Sequence, residues 1–336
     1  RDPTITFGDW VAQDEFHLKG FYNDGFRGTS EIAYPFYSKV TEREKCYPKA
    51  FPISLYFNGY FYGIMAWQLK KHRDNMGLDK KVAENVWLDG TLNDKQLFKG
   101  TINWTKFEVR NPKDLYNMDG TDYDGDNPQE IIDETSSAYT GKTKMVRCAT
   151  AKKYIKNLSN YCSELQALED GKASVETMRA EIQSRFDVTE IVNYKVFSLV
   201  TSTIASFSKN WQWFTKDGVK WTVAPYDCNL TFGYNEDGTS LWEAEQSSKK
   251  YSYMMQNTDS VGPMLWIRKY FWEDVKSRYA ELRDNGVIST ASIMDLVNNV
   301  YQRIGEENYA AEWAKWPESP CVKNFTDSPE RIEGIS

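Results

Sequence analysis

The chain has 336 residues, a net charge of -7 and 15% aromatic residues, including 12 Trp and 21 Tyr. That length allows two lobes with a sizeable core, while the acidic balance argues against a protein that coats nucleic acid, because neutralising phosphates needs a basic face. No run of about 18 apolar residues exists to span a membrane, and with only His17 and His72 a His triad or His-rich metal site is disfavoured.

In chain order, the opening Arg1-Asp2-Pro3 lacks signal-peptide character and reads as the cut end of a longer chain. Alternation within residues 4–19 predicts two short strands, followed by a polar break at Asn23-Asp24-Gly25 and a helix over 28–40. Two apolar runs, 53–57 and 60–67, flank Asn58-Gly59, the dipeptide that tolerates positive φ at both central positions of a two-residue hairpin. Next comes Lys70-Lys71-His72-Arg73, the densest basic cluster, which suits either a solvated face or a phosphate-facing patch.

Residues 111–133 are rich in Asp, Gly and Pro and predict a long loop. Asp122, Asp124 and Asp126 within it are candidate Ca²⁺ ligands, but counting from Asp122 the sixth and twelfth positions are Asn127 and Asp133, where an EF-hand wants Gly and Glu. A glycosidase-type carboxylate pair from 119–133 is a further option. Helical periodicity then runs from Ile155 to Leu168 and stops at Gly171; a second helix covers 174–186, and a third opens at Asp187 with Glu190 three residues on, a capping-box spacing. Strands are expected over 210–215 and 219–224, helices over 263–285 and 290–305, and an irregular tail from Trp313. The layout is α+β: a strand-rich part over 1–110, an acidic connecting loop over 111–150, a helical part over 151–310 and a tail over 311–336. Five scattered cysteines form no CxxC pair and read mostly as buried free thiols.

The order helix, loop, Asn210, hairpin, Asp227 is the arrangement in which a kinase places its two metal ligands. An ordinary loop Asn and turn Asp would look the same. Lys209-Asn210-Trp211 and Pro225-Tyr226-Asp227-Cys228-Asn229-Leu230-Thr231-Phe232-Gly233 resemble the Lys-Asn-aromatic and Pro-(Trp/Tyr)-Asp-x-Asp-x-x-(Phe/Trp)-Gly motifs of the CotH family of atypical, kinase-like proteins. Upstream, Leu18-Lys19 through Asp24 and Arg27, and Asn58-Gly59 to Gly63-Ile64, are similar to that family's other two motifs, so the resemblance covers about residues 5–235.

The resemblance implies an atypical protein-kinase-like fold and ATP-dependent phosphorylation of protein Ser residues, a chemistry associated with spore coats. It implies Mg²⁺ or Mn²⁺ at Asn210 and Asp227, with Asn229 beside them, and ATP phosphates at Lys19, with Lys70 or Arg73 as competitors. Arg27 would be a structural or phosphate-proximal contact. Two departures cut against turnover: the position of the catalytic Asp is Ala205, and the second Asp of the late motif is Asn229. The expectation is a degenerate member with weak or no phosphoryl transfer, acting on or bound to a protein at an extracellular, cell or spore surface. The alternative is a non-catalytic module that uses Trp67, Trp87, Trp104, Trp242 and Trp313 for protein or glycan contacts.

Overall fold

Two antiparallel sheets carry the strands of the computed structural model, which describes residues 4–8, 10–41, 47–90, 96–203, 210–233 and 262–319. The first sheet has the order β1-β3-β2, from β1 (Phe16–Lys19), β2 (Ala50–Phe57) and β3 (Tyr60–Leu69). Asn58 and Gly59 turn the β2–β3 hairpin with φ of 50° and 83°, as their chemistry requires. Of the expected pair of strands over 4–19 only β1 forms; Ile5 contributes a single bridge to Gln13.

The second sheet, β5-β4-β6-β7, joins β4 (Val86–Gly90) and β5 (Glu108–Asn111) to the sequence-distant β6 (Trp211–Thr215) and β7 (Trp221–Ala224). At one end of the β4–β6 pair Gly90 faces Trp211, and a Cβ there would lie 1.7 Å from the indole. Only glycine lets the two backbones approach under that ring.

Helices α1 (Thr29–Thr41), α2 (Thr143–Asp170), α3 (Val175–Arg185) and α4 (Val188–Val200) precede β6; α5 (Gly262–Tyr270), α6 (Trp272–Asp284), α7 (Thr290–Ile304) and α8 (Glu306–Lys315) follow β7. The Asp187 carboxylate accepts from Glu190 N at 3.3 Å, the capping geometry read from the sequence. Asp187 N donates to Trp221 O at 2.9 Å, tying α4 to β7. α1 packs on α4 through aromatic contacts, Tyr37 meeting Phe197 edge-on at 5.1 Å. The fold is therefore α+β, as expected, with strands mostly N-terminal and helices C-terminal.

Two elements depart from expectation for identifiable reasons. α2 begins twelve residues before Ile155: its buried stripe continues upstream through Cys148, Ala151 and Lys152, where small and charged residues hide the periodicity. α8 occupies the start of the stretch expected to be irregular, and its Glu312 is almost wholly buried. Glu312 Oε2 accepts from Ile64 N of β3 at 2.8 Å, and Oε1 pairs with Arg27 at 2.8 Å, so the last helix is bolted to the first sheet.

Candidate functional site

In the β6–β7 hairpin Gln212 stands opposite Ala224, so the residues just beyond its open end converge. They are Asn210 and Asp227, and Asn210 Nδ2 donates to Asp227 Oδ2 at 3.0 Å. Both backbones are left-handed, with φ of 60° and 57°. That conformation costs a residue with a Cβ about 1 kcal/mol and is tolerated best by Asn and Asp. Asp227 N donates to Tyr34 Oη at 3.2 Å, which anchors the turn to α1.

Lys19, the last residue of β1, reaches the same place from the other sheet. Its Nζ lies 3.9 Å from Asp227 Oδ1 and donates to Tyr226 Oη at 3.1 Å. The pair is open to solvent, with the Asp227 side chain 32% exposed and Lys19 25% exposed. Three of the residues singled out in the sequence thus meet at one mouth between the sheets.

The others lie elsewhere. Arg27 is 3% exposed and saturated by protein: Nε bonds Glu312, and Nη1 donates to the carbonyls of Phe21, Tyr22 and Asp24. It is a bracket that holds the turn before α1. Lys70 pairs with Glu15 at 2.8 Å; Arg73 donates to Asn111 Oδ1 at 3.0 Å and contacts His72 Nε2 at 2.9 Å. Asn229 is half-buried two residues past Asp227. Ala205 lies outside the described residues.

Residue Lys71, passed over between Lys70 and Arg73, points where those two do not. Its Nζ sits 4.1 Å from the centre of the Tyr226 ring and pairs with Asp89 of β4. Asp89 is fully buried; Gln212 Nε2 donates to its Oδ1 at 2.5 Å, and Arg110 reaches its Oδ2 at 3.4 Å. Lys71, Lys70, Arg73 and Arg110 also line a cavity of about 1080 Å³. Strand alternation could not have selected Lys71, because β3 ends at Leu69 and the parity rule ends with it.

The proposed aromatic surface is only partly present. Trp87 is core, donating Nε1 to Gln212 Oε1 at 2.8 Å, because it lies on the central β4 strand. Trp313 is exposed, Trp67 and Trp104 are half-buried, and Trp242 lies outside the described residues. In the acidic loop, Asp124 Oδ1 accepts from Asp126 N at 3.0 Å. Among the described residues no group of three or more His, Cys, Asp or Glu is placed to hold a metal ion.

The family model described as CotH kinase protein matches residues 5–334. This chain belongs to the CotH family. A comparison with curated proteins found no match. In a CotH chain, the described Cys148, Cys162 and Cys228 are buried free thiols, as expected, and burial raises the Cys148 thiol to about 11. No described helix is long and apolar enough to cross a membrane.

The mouth of this CotH chain has the donor chemistry of a hard divalent cation. Asp227 supplies a carboxylate, and a half-turn of the Asn210 amide about its last torsion presents Oδ1 where Nδ2 now lies. Mg²⁺ and Mn²⁺ complete such a set with water and phosphate oxygens, so one carboxylate and one amide are a sufficient protein share. The residues present fit the group.

Proposed function

We propose that this CotH domain binds ATP with Mg²⁺ or Mn²⁺ at the mouth between β1 and the β6–β7 hairpin, and transfers phosphate slowly or not at all. The observation that carries the reading is the meeting of Asn210 and Asp227, from the two ends of the β6–β7 hairpin, with Lys19 from the distant β1. Asp227 and Asn210 would hold the metal, and Lys19 would face the phosphates. The metal, when bound, neutralises the charge of the phosphates. Asp227 and Lys19 hold each other only loosely in its absence, so binding requires little rearrangement.

Weak turnover follows from Ala205, which offers no oxygen to take a proton from an attacking hydroxyl. Losing such a base costs about a hundredfold to ten-thousandfold. The acceptor would be a protein Ser residue, on a spore coat or another extracellular surface, in keeping with the family.

Thermal unfolding with millimolar ATP and Mn²⁺ tests the reading. A ligand at about a hundred times its dissociation constant stabilises by about 2.7 kcal/mol, which reads as a clear rise in Tm. Asp227→Asn should abolish the rise, and Ala205→Asp should increase phosphate transfer. No rise in the unmodified chain removes nucleotide binding.

A second reading, a non-catalytic adhesion module, has one observation behind it. The β2–β3 hairpin tip exposes Tyr56, Phe57 and Tyr60, the last 80% accessible, in a stretch from Ala50 to Leu69 that contains no charged residue. Such a surface suits flat sugar rings or an apolar protein face. A glycan array probed with the unmodified chain and with Tyr60→Ala decides it; equal, background-level signals would sink this reading.

A further inference from the structure

The first sheet turns its more apolar face away from the core. Along β2 the even positions, Ala50, Pro52, Ser54 and Tyr56, are small or polar, and the odd ones, Phe51, Ile53, Leu55 and Phe57, are all large and apolar. Successive strand residues point to opposite faces, and the pairing with β3 says which face is which. Ser54 stands opposite Ile64 and Pro52 opposite Ala66. Ile64 and Ala66 are buried, and Ile64 packs with Ile32 of α1 and Val300 of α7, so the small residues face the core. Phe51, opposite Trp67, and Ile53, opposite Met65, therefore point outward.

β1 follows the same rule. Lys19, opposite Ala66, turns toward the mouth, whereas Leu18, opposite Trp67, turns outward and is 44% exposed. At the tip Phe57 and Tyr60 pair across the turn, and both are exposed. At the other end Phe7 and Trp10 lie on Phe51, with ring centres 5.6 and 5.2 Å away; both are half-buried, so they extend the apolar surface more than they close it. Among the described residues, Leu18, Ile53, Leu55, Met65 and Trp67 pack against none of the hydrophobic cores. An antiparallel sheet with one solvated face ordinarily makes that face the polar one. Here the pattern is inverted, which calls for a second layer.

We propose that the outer face of β1, β2 and β3 is the interface of a two-fold homodimer, each copy supplying the layer that the other lacks. Charge selects this occupant. Each copy carries a net charge of -7, so two copies repel where their acidic surfaces meet. Ala50–Leu69 contains no charged residue, so this face can meet itself without desolvating an ion. Size agrees: eight residues at about 3.3 Å and three strands at about 4.8 Å give each copy a footprint of roughly 25 by 14 Å. Side chains standing out from the sheet bring the area buried by two copies to the order of 1,000 Å², the lower end for a specific interface. The same patch on both copies closes the assembly at two. His17 and Lys19 point the other way, so pairing leaves the mouth open and is independent of the nucleotide reading.

Sedimentation velocity of the whole chain, from low micromolar to several hundred micromolar, tests the pair. The mass should rise from 39.0 kDa toward twice that value. Leu55→Glu should weaken the pair at least about a hundredfold, since two-fold symmetry buries the new charge twice. Tyr56→Glu, the next residue but on the opposite face, should leave it unchanged. Circular dichroism shows which variants are folded; should Leu55→Glu unfold, Phe57→Ser at the exposed tip should still weaken the pair about tenfold.

A chain that stays monomeric throughout that range overturns the proposal. So does a dimer that survives in folded Leu55→Glu or Phe57→Ser, or one that Tyr56→Glu disrupts as much as they do. Assemblies that grow past two copies also overturn it. Glycan binding by a monomer, lost in Tyr60→Ala, overturns the pairing and leaves the tip to sugar.

Discussion

The mouth at Asp227 and the acidic segment before α2 both set carboxylates beside lysines, and they differ in how completely those carboxylates are satisfied. Asp227 has one amide at 3.0 Å and a lysine at 3.9 Å, and a third of its side chain faces water. Asp133 accepts from Lys152 at 2.8 Å, Lys156 at 3.2 Å and Thr135 Oγ1 at 2.5 Å, and Lys152 also holds Glu130 at 2.8 Å. Acidic composition alone therefore does not mark a binding site. A carboxylate whose lone pairs the fold has filled is a fastening, and one left half-satisfied at a cleft can accept a ligand.

The largest expected effect tests the fastening. The Lys152 side chain is 1% exposed, and its ammonium is the link between α2 and the loop carrying Glu130 and Asp133. Lys152→Met keeps the volume and leaves Asp133 without its main cation, which should cost about 3–5 kcal/mol in urea or thermal unfolding. Burial alone would raise the Asp133 carboxyl, but the bonds from Lys152, Thr135 and Lys156 outweigh it and hold it below the ordinary range. A carboxyl depressed in the folded state stabilises above its unfolded value and loses that contribution as pH falls through its folded one, so the unmodified chain should lose stability below about pH 4 more steeply than Lys152→Met. Equal stability of the two chains would mean that the loop is not held through this lysine.

Glu31 is a third kind of carboxylate: buried at the start of α1, with neither oxygen hydrogen-bonded beyond its own backbone among the described residues. Burial raises it from 4.5 to about 8, assisted by the neighbouring Asp24. The folded chain then keeps a proton that the unfolded chain releases, so stability falls as pH rises from about 4.5 to about 8 and levels off above that. The slope is about 1.4 kcal/mol per pH unit, or on the order of 3 kcal/mol between pH 5 and 8. Glu31→Gln should flatten the pH profile of the unfolding free energy over that window. Parallel profiles for the two chains would show that Glu31 is ionised in the fold.

Much of the architecture was legible because local chemistry and tertiary structure agree there. Asn58-Gly59 could form only one kind of turn, Asp187 caps α4 through the Glu190 N–H, and the spacing of Asn210 and Asp227 around a hairpin brought them together as read. The partners that complete the site were not legible, because they depend on pairing between distant strands. Asp89 sits on β4, whose neighbours β5 and β6 are separated from each other by about a hundred residues, and nothing local to Val86–Gly90 marks it as central. Trp87 was misjudged for the same reason. Arg27 and Glu312, a pair that spans nearly the whole chain, could be joined only by the fold.

The smallest expected effect returns to the mouth and asks whether its loose pairing is what separates it from the fastening. Lys19→Met removes a cation 3.9 Å from a carboxylate that is one-third exposed, and such pairs contribute about 0.2–1 kcal/mol after solvent screening. Unfolding should therefore shift by less than about 1 kcal/mol, while the Mn²⁺–ATP-dependent rise in Tm should shrink or vanish. The same substitution, Lys to Met, would then cost several-fold more stability at residue 152 than at residue 19, although both lysines face an aspartate. Should Lys19→Met destabilise the chain as much as Lys152→Met does, Lys19 and Asp227 would be a second fastening between the sheets, and the openness of the mouth would no longer argue for a ligand.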